Sequence, residues 1–165
     1  MKLETLAIHA GRGPDPATGA VREPIHLSTT FERGPDGSYR HGYDYSRSGN
    51  PNRATLERAV AALEGGTAAV AFASGSAATL AVFSLAAAGG RIVCSADCYH
   101  GTAKQLRQLL PRWGAGVEFV DTTDLAAVEQ ALQPGATLLW VETPSNPLLR
   151  VSDLAALAGL AHARG

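Results

Sequence analysis

The rhythm of hydrophobic and polar positions changes near residue 50. Before it, Gly11, Gly13, Pro14, Pro16, Gly19, Pro24, Gly34, Pro35 and Gly37 interrupt any helical or strand period, so the first fifty residues read as an irregular arm. A stretch this long without regular structure is uncommon inside a compact domain, and an arm that packs on a partner subunit is the reading it favours. From Asn50 the pattern becomes regular. Asn50 can cap a helix with Pro51 at its first position, Leu56, Val60 and Leu63 recur at helical spacing, and Gly65-Gly66 stops it. A short apolar strand is predicted over 68–73, followed by the Ser74-Gly75-Ser76 turn and an Ala-rich helix to about Ala88.

The remaining chain alternates in the same way. Strands are predicted at 91–95, 117–121 and 137–142, and helices at 101–112, at 125–132 capped by Asp124, and, capped by Ser152, to about His162. The strands are continuous apolar runs rather than alternating ones, and their connections are short. That pattern predicts an α/β domain: a mostly parallel sheet with helices on both faces, over 51–165, preceded by the arm of residues 1–50. The rhythm after the last helix calls for a further buried strand that these residues do not supply.

Composition narrows the classes of function. Hydrophobic residues make up 45% and charged residues 18%, with a formal net charge of −1 and the two signs mixed along the chain. A nucleic-acid or membrane partner held by electrostatics is therefore not expected. The apolar stretch 68–88 is interrupted by Ser74, Gly75, Ser76, Thr79 and Ser84, which suits a buried strand and helix rather than a membrane span. Cys94 and Cys98 are the only cysteines, and residues 1–12 lack the apolar core of a secretory signal, so a reducing, cytoplasmic setting is expected. Cys94, Cys98 and His100 do not have a recognised ligand spacing, and no metal is expected. Twelve of the fourteen basic residues are Arg; the two lysines are Lys2 and Lys104.

Four constellations carry possible chemistry. In Ala73-Ser74-Gly75-Ser76-Ala77 a strand would feed a tight turn that opens a helix of small residues. The free N–H groups and positive dipole end of such a helix attract phosphate, and Gly75 admits a close approach; the same residues also suit a plain capped turn. Within Tyr45-Ser46-Arg47-Ser48-Gly49-Asn50-Pro51, Arg47 can grip a phosphate bidentately and Tyr45 can donate to it, or both can belong to a solvated loop. Tyr99 follows a strand at the carboxyl edge of the sheet, where its ring can stack on a flat ligand or simply pack. Glu142-Thr143-Pro144-Ser145-Asn146-Pro147 also follows a strand at that edge, with Asn146 offering an amide or the loop being only a rigid turn.

In this order the segments TLAIHAGRGPDPATGAVREPIHLSTTF, YSRSGNP, LEGG, ASGSAA, DCYHGT and ETPSNPLLRV resemble the Cys/Met-metabolism enzymes that depend on pyridoxal 5′-phosphate (PLP), across nearly the whole chain. The resemblance implies that Ser74, Gly75 and Ser76 cradle the PLP phosphate, with Ser76 standing where many relatives have methionine. It implies that Tyr45 and Arg47 bind the phosphate of a neighbouring subunit, that Tyr99 stacks on the pyridine ring, and that Asn146 bonds its phenolic oxygen. His100 stands where many members have glycine, and Glu142 has no assigned role. The resemblance further implies a small amino-acid substrate, a homodimer or tetramer, and elimination or replacement at the β- or γ-carbon of sulfur amino acids, as in cystathionine γ-synthase or γ-lyase. The family's Schiff-base lysine lies beyond the region matched, and neither Lys2 nor Lys104 has its sequence context. The expectation is thus the N-terminal part of such an enzyme, inactive alone, with a non-catalytic PLP-binding remnant or half of a split enzyme as the alternatives.

Overall fold

A computed structural model describes residues 1–133 and 135–164. The chain divides into two compact units, 1–71 and 72–165.

In the first unit, α1 (Leu3–His9) precedes the glycine- and proline-rich stretch, an element the breaker pattern did not reveal. The long helix α2 (Pro51–Glu64) begins and ends where its sequence signals fall. The Asn50 side chain accepts from the N–H groups of Asn52 and Arg53, and Gly65 closes the helix at φ 67°, a left-handed conformation suited to glycine. Part of the arm folds back on this helix. The Asn52 side chain accepts from His26 N–H and donates to the Pro24 carbonyl, both at 2.9 Å. Arg58 donates to the Gly11 carbonyl, and a side chain at Gly11 would meet the Thr55 carbonyl at 2.6 Å, so only glycine permits this approach.

The second unit is the layered domain. It comprises α3 (Gly75–Ala86), β1 (Arg91–Ser95), α4 (His100–Gln108), a 3₁₀ turn at Leu110–Trp113, β2 (Gly116–Val120), α5 (Leu125–Leu132), β3 (Leu138–Trp140) and α6 (Leu154–His162). The strands form a parallel sheet in the order β2-β1-β3, with Ile92 level with Val117 and with Leu138. Strand periodicity sorts the side chains to two cores. Ile92 and Cys94 pack with Phe83, Ala103 and Leu106 of α3 and α4, whereas Val93 packs with Val128, Leu132 and Leu157 of α5 and α6. Both faces of the central strand are thereby covered, which is why β1 reads as an unbroken apolar run.

Three predicted features differ. Residues 68–73 form no strand: no other described strand lies beside them to pair with, and Val70 and Phe72 are exposed. The last helix is capped by Asp153, whose side chain accepts from Ala156 N–H, because the neighbouring Ser152 hydroxyl is buried and bonded to Thr122. The third strand is shorter than the apolar run 137–142, ending at Trp140 before the chain turns into the proline-bounded loop.

Candidate functional site

Because the strands are parallel, the segments that leave their carboxyl ends emerge on one edge. There a cleft of about 530 Å³ is lined by Ser74, Gly75, Ser76, Thr79, Tyr99, Thr102, Trp140, Glu142 and Asn146. Five residues singled out from the sequence, Ser74, Gly75, Ser76, Tyr99 and Asn146, therefore meet at one opening. Tyr45 and Arg47 belong to the first unit. There the Arg47 guanidinium lies 4.9 Å from the centre of the Tyr45 ring, an arrangement that holds the cation and the phenol side by side. Tyr45 also bridges to Thr30.

The Ser-Gly-Ser turn satisfies both readings of its sequence. Ser74 caps α3, its hydroxyl accepting from Ala77 N–H at 3.2 Å and its carbonyl from Ala77 and Ala78. The N–H groups of Gly75 and Ser76 remain without a partner among the described residues, and space is open above Gly75. These are free donors at the positive end of a twelve-residue helix, the donor set a phosphate requires.

Cross-ties fix the three walls of the cleft. Gln105 on α4 donates to the Ser76 carbonyl at 2.9 Å, joining α4 to the first turn of α3. Phe83 on α3 meets Trp140 on β3 edge-on, with ring centres 5.0 Å apart. The Tyr99 N–H donates to Glu142 Oε2 at 2.8 Å, joining the start of α4 to the end of β3. The Tyr99 ring itself is half exposed. Beneath the edge, Ser95, Thr122 and Ser152 form a chain of buried hydroxyls, at 3.1 and 2.8 Å, and Ser95 Oγ accepts from Glu142 N–H at 3.2 Å. The loop carrying Asn146 is closed by Ser145, which is buried and paired with Arg150 through both backbone and hydroxyl.

Several of these partners gave no functional signal in the sequence. Glu142 carried no role, and its bond to Tyr99 spans 43 residues. Thr79 is marked only by its spacing of four from Gly75, to whose carbonyl it donates at 2.9 Å. Trp140 lines the cleft with a buried indole N–H that has no partner among the described residues. His100 opens α4 and is exposed. Under the cleft, the hydrogen bond with Cys98 and burial push the Cys94 thiol well above the ordinary thiol range, so it packs as a protonated, apolar group. Lys104 is exposed on α4 and lines a separate depression with Gly101, Gln105, Gln108, Leu109 and Arg112.

A two-sided parallel α/β layer with an unpaired helix N-terminus, an exposed aromatic ring and a polar amide at its carboxyl edge defines a domain for a flat, phosphate-bearing ligand. Over residues 4–165 the chain matches the family described as Cys/Met metabolism PLP-dependent enzyme, and it belongs to that family. It is 45% identical over 162 residues to cystathionine gamma-lyase of Homo sapiens, covering 98% of this chain and 40% of that one. It is 46% identical over 157 residues to cystathionine gamma-synthase of Mycobacterium tuberculosis, covering 94% of this chain and 40% of that one. Among solved structures, cystathionine gamma-lyase from Lactobacillus plantarum complexed with L-serine aligns with a TM-score of 0.89 at 47% identity, over 99% of this chain and 42% of that one. The chain thus spans about 40% of the length of the curated relatives it matches.

Proposed function

We propose that this chain is the N-terminal part of a PLP-dependent enzyme of sulfur amino-acid metabolism, of the cystathionine γ-lyase or γ-synthase type, and that it builds the phosphate and ring sites for the cofactor. The observation that carries this reading is the meeting of Ser74, Gly75, Ser76, Tyr99 and Asn146 around one cleft. The residues suit the group. The unpaired N–H groups of Gly75 and Ser76 hold its phosphate with the Ser76 hydroxyl, the Tyr99 ring covers one face of its pyridine, and the Asn146 amide donates to its phenolic oxygen. Tyr45 and Arg47 grip the phosphate of a neighbouring copy. When bound, PLP draws electrons from the α-carbon of an amino acid and so opens loss or replacement of a group at the β- or γ-carbon. The chain's own part is to fix the cofactor's ring and phosphate and to keep the phenolic oxygen hydrogen-bonded. The lysine that holds PLP covalently comes from outside these residues, a reading supported by the position of Lys104 away from the cleft.

The proposed assembly is a homodimer or tetramer. Exposed Val21, Ile25 and Leu27 in the arm support it, since apolar side chains that lie 81–88% open are cheaply covered by a second copy. No described helix is long and apolar enough to cross a membrane, and free Cys94 and Cys98 support a cytoplasmic setting.

The test is to purify the protein from its own cell, record its intact mass, and titrate it with PLP before and after borohydride reduction. A mass above 17.1 kDa with a reducible attachment to a lysine beyond residue 165 is expected. PLP binding with no reducible attachment would favour a non-catalytic remnant. No PLP binding at all would end the reading.

A further inference from the structure

Tyr99 is fixed at two points that no sequence signal marks as functional. The first is its backbone, whose N–H donates to Glu142 Oε2 at 2.8 Å. Glu142 is itself anchored, since its N–H donates to Ser95 Oγ and Ser95 continues into the buried Thr122–Ser152 hydroxyl chain. The second is Gly101, in the first turn of α4. A Cβ at that position would stand 2.4 Å from Tyr99 Cε1, 3.1 Å from Cδ1 and 3.2 Å from Cζ, and these ring atoms are its three nearest neighbours. Gly101 does not adopt a left-handed φ, so its backbone makes no demand for glycine. Alanine would favour the helix at that position. What alanine would disturb is the ring, since a separation of 2.4 Å is far inside contact distance and the phenol would have to swing away.

We propose that Gly101 and Glu142 are positioning residues that aim the Tyr99 ring across the cleft, Gly101 by leaving room for the ring and Glu142 by holding its backbone. The proposal rests on the reading of the cleft as a PLP site, and it adds the two residues that set the ring's pose. Glu142 lines the cleft and Gly101 does not, and the role given to each here acts through Tyr99.

The experiment uses the full chain as its cell makes it, in wild-type, Gly101→Ala, Glu142→Ala and Glu142→Gln forms. Four quantities are read: affinity for PLP, the induced circular dichroism of bound PLP, affinity of the apo protein for inorganic phosphate, and apo melting temperature. Gly101→Ala is expected to melt no lower than wild type and to bind phosphate unchanged, yet to bind PLP about tenfold more weakly with its induced dichroism diminished, the size of effect expected from losing one well-made ring contact. Glu142→Ala should show the same split, and Glu142→Gln should recover most of it, because the amide oxygen still accepts from Tyr99 N–H. Wild-type PLP affinity and dichroism in both Gly101→Ala and Glu142→Ala would overturn the proposal. So would phosphate and PLP affinities falling together, or loss of the melting transition in Gly101→Ala, either of which means a merely structural role. If the wild-type protein binds no PLP, the functional reading fails separately. Aiming is then decided by nuclear Overhauser contacts between the Tyr99 ring and Gly101 Hα in the apo protein, present in wild type and lost in Glu142→Ala if the proposal holds.

Discussion

Replacing Thr122 with valine tests whether the buried hydroxyl chain is what holds the carboxyl edge of the sheet. Valine has nearly the shape of threonine, so the change leaves packing in place and removes one hydroxyl. That hydroxyl bonds to Ser95 Oγ at 3.1 Å and to Ser152 Oγ at 2.8 Å, and the three residues are 2%, 0% and 6% exposed in turn. Two neutral hydrogen bonds contribute about 1 kcal/mol each, and a buried hydroxyl left unpaired costs about 1–3 kcal/mol more. Ser95 keeps its bond from Glu142 N–H, so the unpaired group is the Ser152 hydroxyl. The expected loss is about 3–5 kcal/mol, read in the full-length protein as a lower urea midpoint at unchanged slope. Removing Ser152 Oγ as well should cost little beyond the single change, because the double variant leaves no orphaned hydroxyl on that side. The cycle should therefore show a coupling of at least about 1 kcal/mol. A Thr122→Val loss below about 0.5 kcal/mol, or strict additivity with Ser152→Ala, would refute the claim that the chain acts as a unit.

Ser74→Ala should lower stability by about 1 kcal/mol through loss of the cap on α3, while also weakening phosphate binding; a thermal melt paired with a phosphate titration checks both effects. Arg47→Ala should accelerate loss of PLP on dialysis of the complete enzyme, and unchanged retention would remove the phosphate role given to Arg47. Thr123, through its hydroxyl and N–H, and the Arg150 guanidinium bring the Asp121 carboxyl down to about 2, below its unfolded value. Its contribution to stability is thus complete above the ordinary carboxylate pKa of about 4 and fades as pH falls toward 2, and Asp121→Asn should flatten the acid limb of the stability profile in that window.

The elements legible in the sequence are those whose signals are local. Asn50, Pro51 and Gly65 bound α2 because a cap, a missing N–H and a left-handed turn are properties of single residues. Arg91–Ser95 was legible because a central strand of a covered parallel sheet is apolar on both sides. The failures come from longer range. The run 68–73 has the composition of a strand, but a strand exists only beside a neighbour. Ser152 and Asp153 are equally good caps in sequence, and the choice is made by Thr122, thirty residues away, which recruits the serine hydroxyl. Of the cleft, Ser74–Ser76, Tyr99 and Asn146 were visible as ligand-facing types at strand ends. Glu142 and Gly101 were not, because their work is done on Tyr99 rather than on a ligand.

That division follows from how a parallel sheet makes a site. The strands β1 and β3 each deliver a segment to the same edge, so the sheet brings Tyr99 and the Glu142–Asn146 loop within reach of one ligand, whereas the start of α3 arrives there with no strand before it. It does not set the angle of any side chain. Orientation has to come from bonds between loops that are remote in sequence, and the cleft shows one for each pair of walls: Gln105 to Ser76, Phe83 to Trp140, and Tyr99 to Glu142. The first two join elements through one side chain against a backbone or a ring, and either can repack around a conservative change. The third is different, because its donor is the backbone of the residue that faces the ligand. The Glu142 carboxylate thereby holds the stretch of backbone from which the Tyr99 side chain extends. Of the three ties, that one should therefore govern ligand pose most steeply and global stability least.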